Sequence, residues 1–352
     1  MKKNQVASVK DAPIKVGTRV LVRVDYNVPL TVDGKISDDK RMVDSLPTIH
    51  YLLERGAKVI LCSHFGRPDG KPEAQYSLRP VYEHLKVLLP DVVVQFANQT
   101  VGKMVEKQVA AMPTASVLLL ENTRFQVAET ANEPMFAKQL ASLGEVFVND
   151  AFGAAHRAHA STVGVASYLP SYAGLLMASE IEQLSRITEN PKHPFTVIIG
   201  GKKVADKMPL ARQLADRADY LLVGGRVAQD WQDDGVQRRA QIYIAPDKGL
   251  DISSATVESW RPIIENSATI FWNGPLGQFD IDPQNGNGTR AVAEIVTNSH
   301  AISIVGGGDT AAAVKNFKFT HVSTGGGAAL EFVEGATLPG IACLQKKEEN
   351  IK

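Results

Sequence analysis

Short apolar runs dominated by Val, Ile and Leu recur near residues 20–24, 58–62, 92–94, 117–120 and 146–148, and again near 196–199, 220–223, 241–244, 269–272, 302–305 and 320–323. Longer stretches with helix-like spacing of apolar positions separate them. Runs that stay apolar on successive residues suit sheets covered on both faces, and strand–helix alternation builds such sheets from parallel strands. The pattern therefore predicts an α/β fold made of two doubly wound, Rossmann-like, mostly parallel sheets.

Between the two series, residues 172–188 predict one amphipathic helix with Met177, Ile181, Leu184 and Ile187 on its inner face, ended by Asn190-Pro191 and His193-Pro194. A chain of 352 residues exceeds the roughly 100–200 residues of a usual domain. The expected organisation is an N-terminal domain at 1–171, a hinge helix at 172–190, a C-terminal domain at 191–335, and a tail at 336–352 that returns to the first domain. The Lys- and Glu-rich segment after Cys343 reads as a solvated end.

Composition narrows the partners. Lys+Arg and Asp+Glu are equal at 38 each, so no broad field favours nucleic acid or an anionic membrane, and any anion must be held by a local pocket. The start of the chain is basic without an apolar core of signal-peptide length, and no run approaches a membrane span, which predicts a cytoplasmic protein. Two cysteines, Cys62 and Cys343, are too few for a disulfide framework or a four-ligand zinc site and are expected to be buried small hydrophobes.

In parallel α/β sheets ligands bind beyond the carboxyl ends of the strands, so the residues that follow each run matter most. In the first half these are Asp25 and Asn27, His64 and Arg67, Arg124, and finally His156, Arg157 and His159; Arg41 follows an expected Asp33-Gly34 hairpin turn. Guanidinium forks gathered at one sheet edge suit a small polyanion bearing carboxylate and phosphate. Taken singly, each Arg reads as a surface ion-pair residue and each His as a structural imidazole. Their shared placement is what points to an anion site.

The second half is built for phosphate chains. Gly200-Gly201-Lys202-Lys203-Val204-Ala205-Asp206-Lys207 ends its first run and Trp272-Asn273-Gly274-Pro275 a later one. Two glycine triplets, Gly306-Gly307-Gly308-Asp309-Thr310 and Thr324-Gly325-Gly326-Gly327-Ala328, end the last two, a repetition that 28 glycines in 352 residues do not explain. Glycine lets backbone N–H groups converge on an anion, and a helix starting just after adds its positive end. No GxxxxGK[ST] stretch is present, so this is not a Walker-type loop. Asp309 beside such a nest suits Mg²⁺, which takes one or two carboxylates with phosphate oxygens, although an isolated Asp in a turn serves equally as a helix cap.

At these residues the chain resembles phosphoglycerate kinases along nearly its whole length. The matching segments are Arg23-Val-Asp-Tyr-Asn-Val-Pro29, Ser63-His-Phe-Gly-Arg-Pro68, Leu120-Glu-Asn-Thr-Arg-Phe125, Asn149-Asp-Ala-Phe-Gly-Ala-Ala-His-Arg-Ala-His-Ala-Ser161, Trp272-Asn-Gly-Pro275, Gly306-Gly-Gly-Asp-Thr310 and Ser323-Thr-Gly-Gly-Gly-Ala328. The resemblance implies a monomeric, bilobal, hinge-bending enzyme that moves a phosphoryl group reversibly between 1,3-bisphosphoglycerate and Mg·ADP, giving 3-phosphoglycerate and Mg·ATP. It implies that Asp25, Asn27, Arg41, His64, Arg67, Arg124 and Arg157 hold the phosphoglycerate. Arg41 and Lys203, with the backbone at Gly308 and Gly326, would stabilise the group in flight. Gly201, Lys207, Gly225, Asn273, Asp280, Gly307, Gly308, Asp309 and Thr310 would hold the nucleotide, with Asp309 on magnesium.

Departures from the family pattern collect on the nucleoside side. After Gly224-Gly225 the family continues with a Met-Ala-Asn-Thr-Phe-like helix and a further helical stretch, whereas Arg226-Val-Ala-Gln-Asp-Trp231 leads quickly to the next strand-like run. Asp251-Ile-Ser-Ser254 replaces Asp-Ile-Gly-Pro, Asp280 replaces the ribose-holding Glu, Lys202 replaces a small residue, and Ser179 replaces a lysine of the connector helix. The expectation is intact transfer machinery with relaxed base and ribose recognition, with Lys202 either attracting phosphate charge or facing solvent. The alternatives are a non-catalytic anion-binding protein on the same fold, disfavoured by the retained Lys203, Asp206, Lys207 and Asp309, and a dinucleotide oxidoreductase, which lacks a well-placed G-x-G-x-x-G.

Overall fold

Side chains branched at Cβ pack well on a pleated surface. In the computed structural model, which describes residues 6–345, all eleven apolar runs contribute a strand. The chain divides into two compact units: the described residues up to Ile181 together with those from Thr337 onward, and Glu182–Ala336. Among the described residues no helix is long and apolar enough to cross a membrane.

In the first unit, β1 (Arg19–Arg23), β2 (Lys58–Cys62), β3 (Val94–Phe96), β4 (Ser116–Leu119), β5 (Val146–Asn149) and β6 (Ser171–Ala173) form one sheet in the order β3-β4-β2-β1-β5-β6. Every pairing is parallel, with Val22 opposite Leu61 on one side and Val148 on the other. The connections carry α1 (Lys40–Leu53), α2 (Arg79–Leu88), α3 (Lys103–Ala111), α4 (Val127–Thr130) and α5 (Pro134–Ala141). Val22, Leu61 and Val148 pack with Ile49 and Leu52 of α1 and Leu85 of α2, all fully buried. Burying each such side chain stabilises the unit by about 1.5–3 kcal/mol relative to exposure.

In the second unit, β7 (Phe195–Ile199), β8 (Tyr220–Val223), β9 (Gln241–Ile244), β10 (Thr269–Asn273), β11 (Ile302–Gly306) and β12 (His321–Val322) form a second parallel sheet, ordered β12-β11-β10-β7-β8-β9. Its helices are α7 (Val204–Ala215), α8 (Gly225–Gln229), α9 (Ser254–Glu265), α10 (Asn287–Asn298), α11 (Gly308–Ala313) and α12 (Gly327–Val333). The boundary between the units falls inside the preceding helix, α6 (Leu175–Thr188). As its spacing predicts, α6 buries Met177, Ile181, Leu184 and Ile187.

Local expectations are corrected in three places. The third run forms its strand at 94–96 rather than 92–94, because the Val92 N–H closes a turn on the Leu89 carbonyl (3.1 Å) before the chain joins the ladder. The helix expected from 172 starts at Leu175, since Ser171–Ala173 pairs with β5 as an edge strand. Cys343 is half-buried rather than buried. The hairpin at Asp33-Gly34 forms, with Gly34 at φ +79° and an antiparallel bridge between Leu30 and Ile36.

After the second sheet the chain forms a last short helix, α13 (Pro339–Ala342), in the first unit. The Gly340 N–H donates to the Ala155 carbonyl (2.8 Å), the Asn149 side-chain amide donates to the Gly340 carbonyl (3.2 Å), and Val6 bridges Gln345. The Lys- and Glu-rich end falls beyond residue 345, outside the described residues.

Asp150, just past β5, is fully buried and accepts from the Met177 N–H (3.1 Å) in the first turn of α6. One carboxylate oxygen has no partner, and burial outweighs the hydrogen bonds, pushing the carboxyl up to about 6. A folded pKa above the unfolded value of 3.8 means that stability present at low pH is lost as pH rises through the window from about 4 to about 6. Asp150→Asn removes the charge and keeps an acceptor. It is expected to stabilise the protein by about 1–3 kcal/mol at pH 7.5 and by nothing at pH 3.5, read from denaturant or thermal unfolding at the two pH values.

Candidate active site

Parallel pairing puts the ends of β1, β2, β4 and β5 on one edge of the first sheet. Past β1, the Tyr26 N–H donates to Ser63 Oγ (2.9 Å) beyond β2, and the buried Tyr26 hydroxyl bonds Ser45 Oγ (3.0 Å) on α1. These contacts set Asp25 beside His64, with Asp25 Oδ1 3.9 Å from His64 Nδ1. They also fix α1, whose Arg41 donates to Asp25 Oδ2 (2.9 Å) and the Asn27 carbonyl (3.3 Å). Asn27 Oδ1 accepts from the Gly66 N–H (3.0 Å). Buried Asn122 ties the β2 and β4 loops together, accepting from the Phe65 and Arg124 N–H groups and donating to the Phe65 and Tyr76 carbonyls. Arg124 in turn donates to the Gly66 carbonyl (2.7 Å).

Arg67, Arg124, Arg157 and His159 line one cavity of about 510 Å³ with Asp69 and Thr130. His64 is held well below the usual histidine range, first by burial and then by Arg23, Arg124, Arg157 and Arg41, so it is neutral at physiological pH. Burial and the neighbouring Arg157 and Arg23 bring Arg124 down to about 10, still charged. Burial and the same cations bring His159 down to about 4. Like charges crowd here, an arrangement that a polyanion relieves. All seven residues expected on the phosphoglycerate side therefore lie in one connected region of the first unit.

Sequence reasoning missed the support beneath them. Arg23, fully buried at the end of β1, donates to Ser161 Oγ (2.9 Å), to the Val24 carbonyl and to His64 Nδ1 (3.0 Å). Ser161 donates hydrogen bonds from its hydroxyl and its N–H to buried Glu129, at 2.6 and 3.0 Å. Because a guanidinium only donates, His64 Nδ1 must accept, which leaves the imidazole proton on Nε2. The available signal was a charged residue closing an otherwise apolar run.

In the second unit the ends of β7, β8, β10 and β11 meet. Gly274, at φ +101°, packs so tightly on Gly200 that a Cβ would collide with its carbonyl, and Thr310 Oγ1 accepts from the Gly274 N–H (2.7 Å) while keeping its own hydrogen to donate. Gly307, at φ +88°, sits at the cap of α11 against the Asn273 side chain. Asn273 is fully buried, yet neither its amide oxygen nor its nitrogen has a hydrogen-bond partner, an orphan that a ligand or water must satisfy. Gly201, Gly225, Asp280 and Asp309 line one small cavity. Lys203 caps α7, and Lys207 stands one turn later on the same face. Burial brings Lys207 down to about 8; Asp309 and Asp206 pull its pKa back up and Lys203 pushes it lower. Gly308 opens α11, next to open space. Gly326 lies beyond β12 at φ +53°, capping α12, where an added Cβ would meet open space. Lys202 pairs with Asp280 (2.5 Å), rather than standing alone in solvent.

The phosphoglycerate kinase family model matches residues 9–237 and 228–336. The chain belongs to the phosphoglycerate kinase family. The phosphoglycerate kinase of Dictyoglomus turgidum is 43% identical over 401 aligned positions, covering 99% of this chain and 100% of the relative. That of Chloroflexus aggregans is 43% identical over 389, covering 94% and 97%. Among solved structures, the phosphoglycerate kinase of Coxiella burnetii superposes with a TM-score of 0.83 at 35% identity, covering 97% and 99% of the two chains. The Pyrococcus horikoshii enzyme gives 0.81 at 28%, covering 96% and 98%.

The two family matches overlap at 228–237, a stretch that begins within the last turn of α8, and the alignment with the Dictyoglomus kinase is longer than this chain's 352 residues. In this chain only residues 230–240 separate α8 from β9. The altered Asp251-Ile-Ser-Ser254 still starts its helix, with Ser253 capping α9 and Asp251 Oδ2 accepting from the Gly288 N–H (2.7 Å).

Sulfate added at constant ionic strength is expected to raise the thermal midpoint in scanning calorimetry, because only the folded basin binds it. Arg124→Ala should remove most of that rise relative to its own sulfate-free baseline.

Proposed function

We propose that this chain catalyses reversible phosphoryl transfer between 1,3-bisphosphoglycerate and Mg·ADP, giving 3-phosphoglycerate and Mg·ATP, as a cytoplasmic monomer. The observation that carries the reading is the pairing, in one chain of this family, of a guanidinium basin around neutral His64 with a glycine cradle around orphaned Asn273. Each half-site draws only on residues of its own unit.

In this reading Arg41, Arg67, Arg124 and Arg157 clamp the carboxylate and phosphate of phosphoglycerate, and His64 donates from Nε2. Asp25 and Asn27 orient Arg41 and accept from the substrate hydroxyl. Phosphoryl transfer asks the protein for in-line positioning and cancellation of charge on the equatorial oxygens. Lys203, Arg41 and the backbone at Gly308 and Gly326 supply that charge. Lys207, Gly307 and Thr310 hold nucleotide phosphates, while Gly201, Gly225, Asn273 and Asp280 shape the nucleoside side. Since each unit binds one reactant, orientation is the main catalytic task, and bending at α6 is the means we assign to it.

Among the described residues no group of three or more His, Cys, Asp or Glu could hold a metal alone. That fits a Mg²⁺ bound by Asp309 together with phosphate oxygens. When bound, the ion would neutralise charge on the nucleotide phosphates. The short 230–240 stretch supports weakened base recognition.

A coupled assay tests the reading. Lys203→Ala should lower kcat by about 10²–10³ with an unchanged circular dichroism spectrum, and omission of Mg²⁺ should abolish turnover. ADP and GDP should give kcat/KM values within about fivefold, since a wall that makes no specific hydrogen bonds discriminates weakly. In the free protein Lys207 loses its charge as pH rises through about 8, so the KM for ADP should climb between pH 7 and 9, and Lys207→Ala should flatten that climb.

A further inference from the structure

The cavity beside the glycine cradle has a volume of about 110 Å³ and is lined by Gly201, Lys202, Gly225, Arg226, Phe279 and Asp280, among others. Organic ligand pockets run from about 300 to 1,000 Å³. At about 110 Å³ this cavity falls well short of that range, nearer the scale of phosphate groups than of a nucleoside.

Its chemistry points the same way. Lys202 is held by Asp280 (2.5 Å) and Arg226 by Asp230 (2.8 Å), with all four side chains 39–55% exposed. Exposed pairs of this kind are weak and screened, so both cations can turn to a polyanion. The carboxylate at the position expected to meet ribose is already occupied by a lysine. Phe279 is the one aromatic side chain lining the cavity. The stretch after α8, residues 230–240, contains no helix. Two cations thus line the place where the resemblance to the family puts the nucleoside.

We propose that the acceptor site recognises a phosphate chain without its nucleoside, so that inorganic pyrophosphate replaces ADP and tripolyphosphate replaces ATP. The inference rests on the transfer reaction assigned above. A terminal oxygen of pyrophosphate forms a bond to the phosphorus of the acyl phosphate as the bond from that phosphorus to the carboxyl oxygen breaks. The electron pair leaves with the carboxylate of 3-phosphoglycerate. The six negative charges of the fully ionised reacting groups reappear on tripolyphosphate and carboxylate, so no proton, oxidant or further reactant is needed. Lys202 and Arg226 would face the outer phosphate of the acceptor, and the cradle would face the transferred group.

The test uses the full chain with 1,3-bisphosphoglycerate, Mg²⁺ and either pyrophosphate or ADP, following tripolyphosphate by the ³¹P resonance of its central phosphorus. The expected result is a kcat/KM for pyrophosphate within about tenfold of that for ADP. In the Lys202→Ala/Arg226→Ala double variant the pyrophosphate value should fall about tenfold or more and the ADP value by less, since each variant removes a charge-assisted contact. Loss of tripolyphosphate in Lys203→Ala excludes a contaminating activity as its source. Turnover of ADP without tripolyphosphate overturns this inference and leaves the assigned reaction standing. Failure with both acceptors overturns the assigned reaction itself. An equal loss for both acceptors in the double variant overturns the role given to Lys202 and Arg226.

Discussion

Parallel pairing is the constraint on which both half-sites depend. A parallel ladder sends every strand's carboxyl end to the same edge, so residues far apart in sequence are delivered together without a long loop. In the first unit this brings Asp25, His64, Arg124 and Arg157 to one basin; in the second it brings Gly201, Gly225, Asn273 and Gly307 to one cradle. The central strands β1, β2, β4, β5, β7, β8, β10 and β11 are largely apolar and buried, so they contribute stability while the chemistry stays at their tips.

The two edges solve opposite electrostatic problems. In the basin, side-chain cations repel one another, and the protein holds them by spending backbone carbonyls and buried acids: the Gly66 carbonyl on Arg124, Asp25 on Arg41, and Glu129 through Ser161 beneath Arg23. His64 stays neutral in this field and is locked in one tautomer by a donor that cannot accept. In the cradle, N–H groups and two lysines on one face of α7 replace guanidinium forks. Backbone donors placed by glycine cost no side-chain ordering when an anion arrives.

The connection from α8 to β9 spans only residues 230–240, yet β8 and β9 pair along their whole length and Ser253 caps the next helix, α9. Strand pairing and the buried central strands carry the sheet, so a short connection at its edge is tolerated. Beside it lies the small cavity lined by Lys202, Arg226 and Asp280, where Lys202 pairs with Asp280, while Arg226 pairs with Asp230 on its own helix end.

From the sequence alone came the eleven apolar runs, the parallel class of both sheets, the inner face of α6, and the residues at the strand tips. Each of these is a local property, legible in side-chain branching, period and the position of Gly or Arg after a run. Tertiary structure decided what depends on non-local pairing. Ser171–Ala173 became a strand because β5 offered an unpaired edge, although its sequence continues a helical pattern. Arg23 became the support of His64 because Ser161, 138 residues later, reaches it. Lys202 met Asp280 across 78 residues, and Asn273 was left without a partner against Gly307. Spacing along a chain carries no distance between such residues; only the close packing of the sheets and their loops sets it.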